Sequence, residues 1–209
     1  KVILTTSSVK GEGKTIISSN IAKLLSAKNN KVILLGADLR NPQIHKLLNI
    51  DKSIKGLSDY IFSDNNNWKD YSINQNGFDI ILSGSIPPNP TELIGSKKFE
   101  SLLNTLREKY DYIIIDSAPC LLVSDTLEIS KKVDCTLYVV RSNYTEISLL
   151  DFINECKSNN KIKNINIVLN GVGNSKAYGY KYGYQYGYQY GYKYGYNYGY
   201  GYGYQEDKD

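Results

Sequence analysis

Residues 2–15 read VILTTSSVKGEGKT, an apolar β-branched run followed by a loop with two glycines. A strand that enters a glycine-rich loop and then a helix is the setting of a phosphate-binding P-loop. Gly11 and Gly13 let backbone N–H groups turn toward phosphate oxygens, and the helix that follows directs its positive end at the same point. The pattern G-x-x-x-x-G-K-[ST] is met except at its first position, where Ser8 stands for glycine.

This loop predicts a site for a nucleoside triphosphate and Mg²⁺. Lys14 is expected to reach the β- and γ-phosphates, and the Thr15 hydroxyl to bind the metal. The predicted nucleotide contacts come from the loop and the start of its helix: Lys10, Gly11, Glu12, Gly13, Lys14, Thr15 and Ile16. The alternative, a glycine-rich turn with an exposed lysine, is disfavoured because strand, loop, helix and the Lys-Thr pair all agree.

Short apolar runs and helical patterns alternate along the rest of the chain. Strands are predicted at 2–6, 31–35, 78–82, 112–116, 136–140 and 165–169, and helices at 15–28, 90–109, 124–131 and 146–158. Because the strand runs are nearly continuous in apolar residues, we expect them to be buried on both faces. The alternation predicts an α/β fold with a mostly parallel sheet and helices on both of its faces.

Two aspartates lie at or just after the carboxyl ends of predicted strands. Asp38 comes shortly after the run 32–36, and Asp116 ends the run 112–116. Open α/β sheets bind ligands at the carboxyl ends of their strands, and a carboxylate there can hold Mg²⁺ directly or through water. We therefore predict a metal site of Thr15, Asp38 and Asp116; the alternative is that each carboxylate only caps the following loop. Arg40 is expected either to pair with a carboxylate across the site or to touch phosphate.

The end of the chain differs in composition. Of 20 tyrosines in 209 residues, 14 alternate with Gly, Lys, Gln or Asn between positions 178 and 204. Frequent glycine argues against a stable strand, and the shortage of aliphatic side chains argues against a core. We expect a folded domain at 1–174 and a disordered low-complexity tail at 175–209, with some tendency to β-aggregation.

Composition excludes several classes of protein. The net charge of +4 is too small to indicate a nucleic-acid-binding surface. Three cysteines without C-x-x-C spacing exclude a disulfide framework and a cysteine zinc site, and are typical of a reducing compartment. Methionine is absent and the first residue already lies in a strand-like run, so we expect the chain to be a fragment.

Several further stretches carry a resemblance to one family. They are GADLRNPQIH at 36–45, GSIPPNPTEL at 84–93, DSAP at 116–119 with Asp125 after it, VLNGV at 168–172 and the tyrosine-rich tail. With the P-loop at 7–15, these resemble the Walker A, A′ and B elements and the C-terminal tyrosine cluster of the bacterial protein-tyrosine kinases of capsule and exopolysaccharide synthesis. This family comprises the BY-kinases of the CpsD/CapB type.

The resemblance implies a MinD/ParA-like P-loop NTPase fold and a non-specific protein-tyrosine kinase that uses ATP and Mg²⁺. The implied catalytic residues are Lys14, Asp38, Asp116 and Arg40, and Asn170 is expected against the adenine. The phosphoacceptors are expected in the tail, where autophosphorylation would occur in trans: Tyr178, Tyr180, Tyr182, Tyr184, Tyr186, Tyr188, Tyr190, Tyr192, Tyr194, Tyr196, Tyr198, Tyr200, Tyr202 and Tyr204.

The same resemblance implies partners and a location. It implies a homo-oligomeric ring in the unphosphorylated state, a transmembrane activator (a polysaccharide co-polymerase), a cognate tyrosine phosphatase and no nucleic acid. The expected location is the cytoplasm, at the inner face of the plasma membrane through the activator. The expected role is to regulate capsular or exopolysaccharide synthesis and export.

Two departures from the family leave alternatives open. Gly36 stands where the family has an aspartate, which predicts a slow or inactive enzyme, and we expect room for a short side chain there. The family's oligomerisation helix before the P-loop is not in this chain. The alternatives are a MinD/ParA-like ATPase, although Val9 stands where that class has a signature lysine, and a weakly active or inactive scaffold with a self-associating aromatic tail.

Overall fold

The computed structural model describes residues 1–75, 77–121 and 123–173. All the helices and strands described below lie in one compact unit, Lys1–Val172. The predicted tail at 175–209, with its 14 candidate phosphoacceptors, lies outside the described residues. The division of the chain at 174 therefore stays a prediction.

A single mixed sheet organises the described residues. Its strands are β1 (Val2–Ser7), β2 (Val32–Gly36), β3 (Ile73–Gln75), β4 (Phe78–Ile81), β5 (Tyr112–Asp116), β6 (Cys135–Arg141) and β7 (Ile165–Asn170). Their order in the sheet is β3-β4-β2-β5-β1-β6-β7. Every neighbouring pair is parallel except β3 and β4, which are antiparallel.

Helices surround the sheet. They are α1 (Lys14–Ser26), α2 (Ile44–Leu47), α3 (Leu57–Phe62), α4 (Pro90–Gly95), α5 (Lys97–Lys109), α6 (Asp125–Ser130) and α7 (Leu149–Ser158), with a 3₁₀ turn at Trp68–Tyr71. No helix within the described residues combines the length and the apolar character that a membrane span requires.

The central strands bury both faces, as their composition predicts. On β5, Ile113 and Ile115 pack in one cluster with Phe99 of α5, whereas Ile114 packs in a second cluster with Ala22 of α1. Successive residues of a strand point to opposite faces, so this division shows that helices cover the sheet on both sides. The predicted parallel sheet with helices on both faces is confirmed.

The single helix predicted at 90–109 is wrong. Two helices occupy this range because Ser96 adopts an extended conformation (φ −68°, ψ 151°) between them. The Ser96 hydroxyl accepts a hydrogen bond from the backbone N–H of Phe99 at 3.2 Å, which makes Ser96 the N-cap of α5. Pro90 lies in the first turn of α4, and the Asn89 side-chain amide before it donates to Glu92 (2.6 Å) and does not cap the backbone.

Candidate functional site

The P-loop joins β1 to α1 at the carboxyl edge of the sheet. Gly11 and Gly13 both have positive φ, 87° and 99°, a region that side chains rarely adopt. Space is also restricted, because a Cβ on Gly13 would lie 2.1 Å from Nδ2 of Asn170. Both glycines are therefore required by the shape of the loop.

Three side chains outside the P-loop hold successive carbonyl groups of the loop. Tyr144 Oη donates to the Lys10 carbonyl (3.0 Å), Arg141 Nη1 to the Gly11 carbonyl (2.9 Å) and Asn170 Nδ2 to the Glu12 carbonyl (2.9 Å). Carbonyls that are held from outside leave the amide groups of the loop to turn inward, where an anion would bind. Asn170 is thus in contact with the P-loop, and its predicted contact with adenine stays a prediction.

The Glu12 carboxylate has a role inside the loop. It is fully buried and accepts hydrogen bonds from the Val9 N–H (2.7 Å) and the Thr145 hydroxyl. These bonds fix the loop, so any contact of Glu12 with nucleotide would come from its backbone. The side chains of Lys10 and Ile16, also predicted to bind nucleotide, are exposed.

Lys14 lies at the first residue of α1 and is only 7% exposed. Within the described residues, no ion pair includes its ammonium group. Its charge is close enough to Asp116 to lower the pKa of that carboxyl, and a phosphate oxygen would give the ammonium a direct partner. The position and burial of Lys14 therefore fit a phosphate ligand.

Asp116 and Thr15 meet at the end of β5. The Thr15 hydroxyl donates to Asp116 Oδ2 at 2.9 Å, and no described residue gives Asp116 Oδ1 a hydrogen bond. Burial raises the pKa of Asp116 to about 7, against the opposing hydrogen bond from Thr15 and the charge of Lys14. An unsatisfied carboxylate oxygen beside a threonine hydroxyl fits Mg²⁺, which commonly takes one or two protein oxygens and completes its shell with phosphate and water.

Asp38 caps the loop that follows β2, which is one of its two predicted alternatives. Its Oδ1 accepts from the backbone N–H groups of Arg40 (3.2 Å) and Asn41 (2.9 Å), so it caps the loop after β2. Its charge also lies close enough to raise the pKa of Asp116. Among the described residues no three His, Cys, Asp or Glu side chains converge as a metal site. The metal site predicted at Thr15, Asp38 and Asp116 thus stays a prediction that requires phosphate oxygens to complete it.

Arg40 pairs with a carboxylate, one of its two predicted alternatives. Its guanidinium donates to both oxygens of Asp125, through Nε at 2.8 Å and Nη2 at 3.1 Å. The Thr91 hydroxyl of α4 donates to the same carboxylate. Burial would raise the pKa of Asp125, but the bonds from Arg40 and Thr91 outweigh it and hold the pKa below its usual range. Asp125 thus ties the loop of Asp38 to α4 and α6.

Replacing Asp125 by Asn should lower both stability and activity. Asp125 is 1% exposed and receives three donors, whereas an amide offers one acceptor and two N–H groups that face the Arg40 donors. Because Arg40 can turn to water (its side chain is 42% exposed), we expect a loss of about 1–3 kcal/mol in the free energy of unfolding. Denaturant unfolding and initial rates measure the two effects.

The control for that variant is Glu100→Gln, at the more exposed Lys132–Glu100 bridge. A surface pair contributes about 0–1 kcal/mol, so this change should be nearly silent. Equal effects of the two substitutions would contradict a special role for Asp125.

Gly36 has no room for a side chain, so that expectation is wrong. A Cβ there would lie 2.8 Å from both the backbone nitrogen and the hydroxyl of Ser83, and 3.2 Å from the Leu82 carbonyl carbon. The segment after β4 packs directly against the end of β2 because Gly36 has no Cβ. The position of the family's aspartate is thus occupied by the chain itself.

Sequence reasoning missed the residues that hold the P-loop from outside. Arg141 and Tyr144 belong to no recognised motif, and they reach the loop only because β6 lies beside β1 in the sheet. Strand order is not visible in one sequence, so no local signal could have identified them.

Known proteins match most of the chain. Residues 1–169 match the family described as AAA domain. A putative tyrosine-protein kinase in the cps region of Klebsiella pneumoniae is 38% identical over 163 residues, which are 77% of this chain and 22% of that protein. Tyrosine-protein kinase YwqD of Bacillus subtilis (strain 168) is 31% identical over 182 residues, 86% of this chain and 77% of that protein.

Solved structures with a similar fold also include a kinase domain. The crystal structure of the VpsO (VC0937) kinase domain has a TM-score of 0.77 and 32% identity, covering 82% of this chain and 85% of that one. MinD ATPases share the fold, which confirms the predicted MinD-like architecture. The chain spans about a fifth of the length of the Klebsiella relative and about three quarters of the Bacillus one.

Proposed function

The chain belongs to the bacterial tyrosine-protein kinases, and from that premise we propose that it transfers the γ-phosphate of ATP to the tyrosines of its own tail. The observation that carries the proposal is the set of groups at the end of β1 and β5. A buried Lys14, which is in no ion pair among the described residues, lies near a buried Asp116. Oδ2 of Asp116 accepts from the Thr15 hydroxyl, and its Oδ1 has no described hydrogen-bond partner. A triphosphate with a divalent cation would satisfy all three.

Each group has a task in phosphoryl transfer. The P-loop amides and Lys14 hold the β- and γ-phosphates and stabilise the charge that develops between them. Mg²⁺, when bound, would supply further positive charge at the same oxygens. Thr15 and Asp116 would hold that ion. We assign Asp38 to the orientation of the attacking tyrosyl hydroxyl, and Arg40, held by Asp125, to the placement of the Asp38 loop.

The acceptors we propose are the 14 tail tyrosines, which stand at every second position from 178 to 204. Each of them has at least one glycine as a neighbour in the sequence, which leaves that side of the phenol without a competing side chain. We propose that transfer occurs in trans between copies of the chain, within a homo-oligomer that forms in the unphosphorylated state. Each phosphate adds about −1.5 to −2 charges, which favours dissociation of such an assembly.

We extend the proposal to the cellular setting. The name of the Klebsiella relative places that protein in a cps region, which supports a role for this chain in regulating capsular or exopolysaccharide synthesis and export. The partners we propose are a transmembrane co-polymerase as activator and a tyrosine phosphatase that restores the unmodified tail. The location that follows is the cytoplasmic face of the plasma membrane.

The decisive test incubates the purified chain with ATP and Mg²⁺ and probes for phosphotyrosine. We expect tail phosphorylation, no signal when EDTA replaces Mg²⁺, and a fall in the mass from light scattering as phosphate accumulates.

To test transfer in trans, a chain with all tail tyrosines changed to Phe is mixed with a Lys14→Met chain as the acceptor. ATP hydrolysis without phosphotyrosine would instead indicate a MinD-like ATPase, and neither activity would indicate a scaffold.

A further inference from the structure

One tyrosine of the folded domain stands apart from the others. The described residues contain six tyrosines, of which Tyr60, Tyr71 and Tyr138 are buried and Tyr110 and Tyr112 half-buried. The sixth, Tyr144, is 49% exposed and lies in the turn between β6 and α7. It is therefore the most exposed phenol of the described fold, and the one most open to a second protein.

Tyr144 is also the tyrosine that touches the P-loop. Its hydroxyl donates to the Lys10 carbonyl at 3.0 Å, and a Cβ on Gly11 would lie 2.7 Å from the same oxygen. The Arg141 guanidinium lies 5.1 Å from the centre of the Tyr144 ring and donates to the Gly11 carbonyl. The pair thus satisfies two successive carbonyls on the outer side of the loop.

We propose that Tyr144 is a second phosphoacceptor of this kinase, and that its modification weakens ATP binding. The inference rests on the proposed function. The hydroxyl lies on the carbonyl side of its own P-loop, away from the amides that face phosphate, so the donor is ATP bound to a second copy. The Tyr144 oxygen bonds to the γ-phosphorus, the bond from that phosphorus to the β–γ bridging oxygen breaks, ADP leaves and the phenolic proton passes to water.

The phosphorylated oxygen has lost its proton, so it can no longer donate to the Lys10 carbonyl. The phosphate dianion lies within reach of the Arg141 guanidinium, which binds phosphate more strongly than it binds a carbonyl. Arg141 would then leave the Gly11 carbonyl. Two supports of the loop are lost together, and about two negative charges are added beside a site for a triphosphate. All three effects weaken ATP binding.

The test follows the full chain during incubation with ATP and Mg²⁺. Mass-spectrometric mapping is expected to find phosphate on Tyr144 as well as in the tail. The KM for ATP is expected to rise about tenfold or more in step with Tyr144 occupancy, the range expected when two hydrogen bonds are lost. Phosphatase treatment should reverse the rise.

Two variants isolate the switch, by which we mean the weakening of ATP binding when Tyr144 is phosphorylated. Tyr144→Phe should start with a KM for ATP raised a few-fold, since one hydrogen bond is lost, and should show no further rise during incubation. Tyr112→Phe removes a half-buried hydroxyl elsewhere. Its KM for ATP should start at the value of the chain without substitutions and rise during incubation to the same extent. Because the effect is on nucleotide binding, kcat for a saturating tyrosine peptide should change less than KM for ATP.

The outcomes separate this proposal from the proposed function. Phosphate in the tail but never on Tyr144 overturns the second acceptor and leaves the kinase intact. Phosphate on Tyr144 without a change in KM for ATP overturns the switch. Phosphotyrosine nowhere in the chain refutes the kinase itself, and this proposal with it.

Discussion

Replacing Lys14 by Met is expected to abolish phosphotyrosine formation and leave the fold intact. Lys14 is 7% exposed at the start of α1, with no ion pair in the described part of the chain. In the proposed reaction its charge is required where negative charge builds between the β- and γ-phosphates. Removing such a contact costs about 10³-fold in rate or more, which corresponds to ~4 kcal/mol in the transition state.

The melting temperature of the Lys14→Met chain should rise or stay the same, although its activity is lost. Methionine is apolar and of similar length, so it keeps the packing, and the desolvation cost of a buried ammonium that it removes offsets the lost attraction to Asp116. We therefore expect an unchanged or higher melting temperature together with the loss of activity. Lys23→Met, on the exposed side of the same helix, is the matched control and should retain full activity. Normal phosphotyrosine in the Lys14 variant would refute the assignment of the nucleotide site.

Replacing Gly36 by Asp is expected to destabilise the protein by about 2–4 kcal/mol and to give no gain in kinase activity. Restoring the family's aspartate would be expected to raise activity if the site had room for it. The structure contradicts that expectation, because the backbone nitrogen of Ser83 lies 2.8 Å from where the Cβ would stand. The new carboxylate would also be buried near the charges of Asp38 and Asp116.

Two alanine variants divide this effect into its parts. Gly36→Ala adds only the Cβ and should show the steric cost alone, about 1–3 kcal/mol. Gly95→Ala, where a Cβ meets no atom of the described residues within 4 Å, is the control and should be neutral or slightly stabilising. Denaturant unfolding measures all three, and the phosphotyrosine assay measures activity. A Gly36→Asp chain with unaltered stability and faster phosphorylation would show that the segment at Ser83 can move away at little cost. That result would contradict this prediction.

Site residues could be predicted from sequence where one local pattern identifies both the functional side chain and its place at the end of a strand. The P-loop and Asp116 follow buried strands directly, so their meeting at one edge of the sheet was predictable. Gly36 is different, because whether it has space depends on Ser83, 47 positions further along the chain. Arg40 left two options that only the position of Asp125 could decide.

Secondary structure shows the same limit. The pattern at 90–109 is helical throughout, yet the extended backbone of Ser96 separates two helices and its hydroxyl caps the second. Helix α2 has four residues and strand β3 has three, too short for a periodic pattern to identify. Their formation depends on tertiary packing that a local window does not contain.

The order of strands in the sheet also determines when, during synthesis on the ribosome, β1 can pair with another strand. β1 lies between β5 and β6, and its first pairing joins Val2 to Ile113. At ~5–20 residues per second on the ribosome, β1 waits roughly 6–22 s for its first partner strand. During that interval β1 has neither of its neighbours in the sheet, and the P-loop has neither Asp116 nor the β6–α7 turn to support it. Nucleotide can therefore stabilise the protein only after most of the domain has been synthesised.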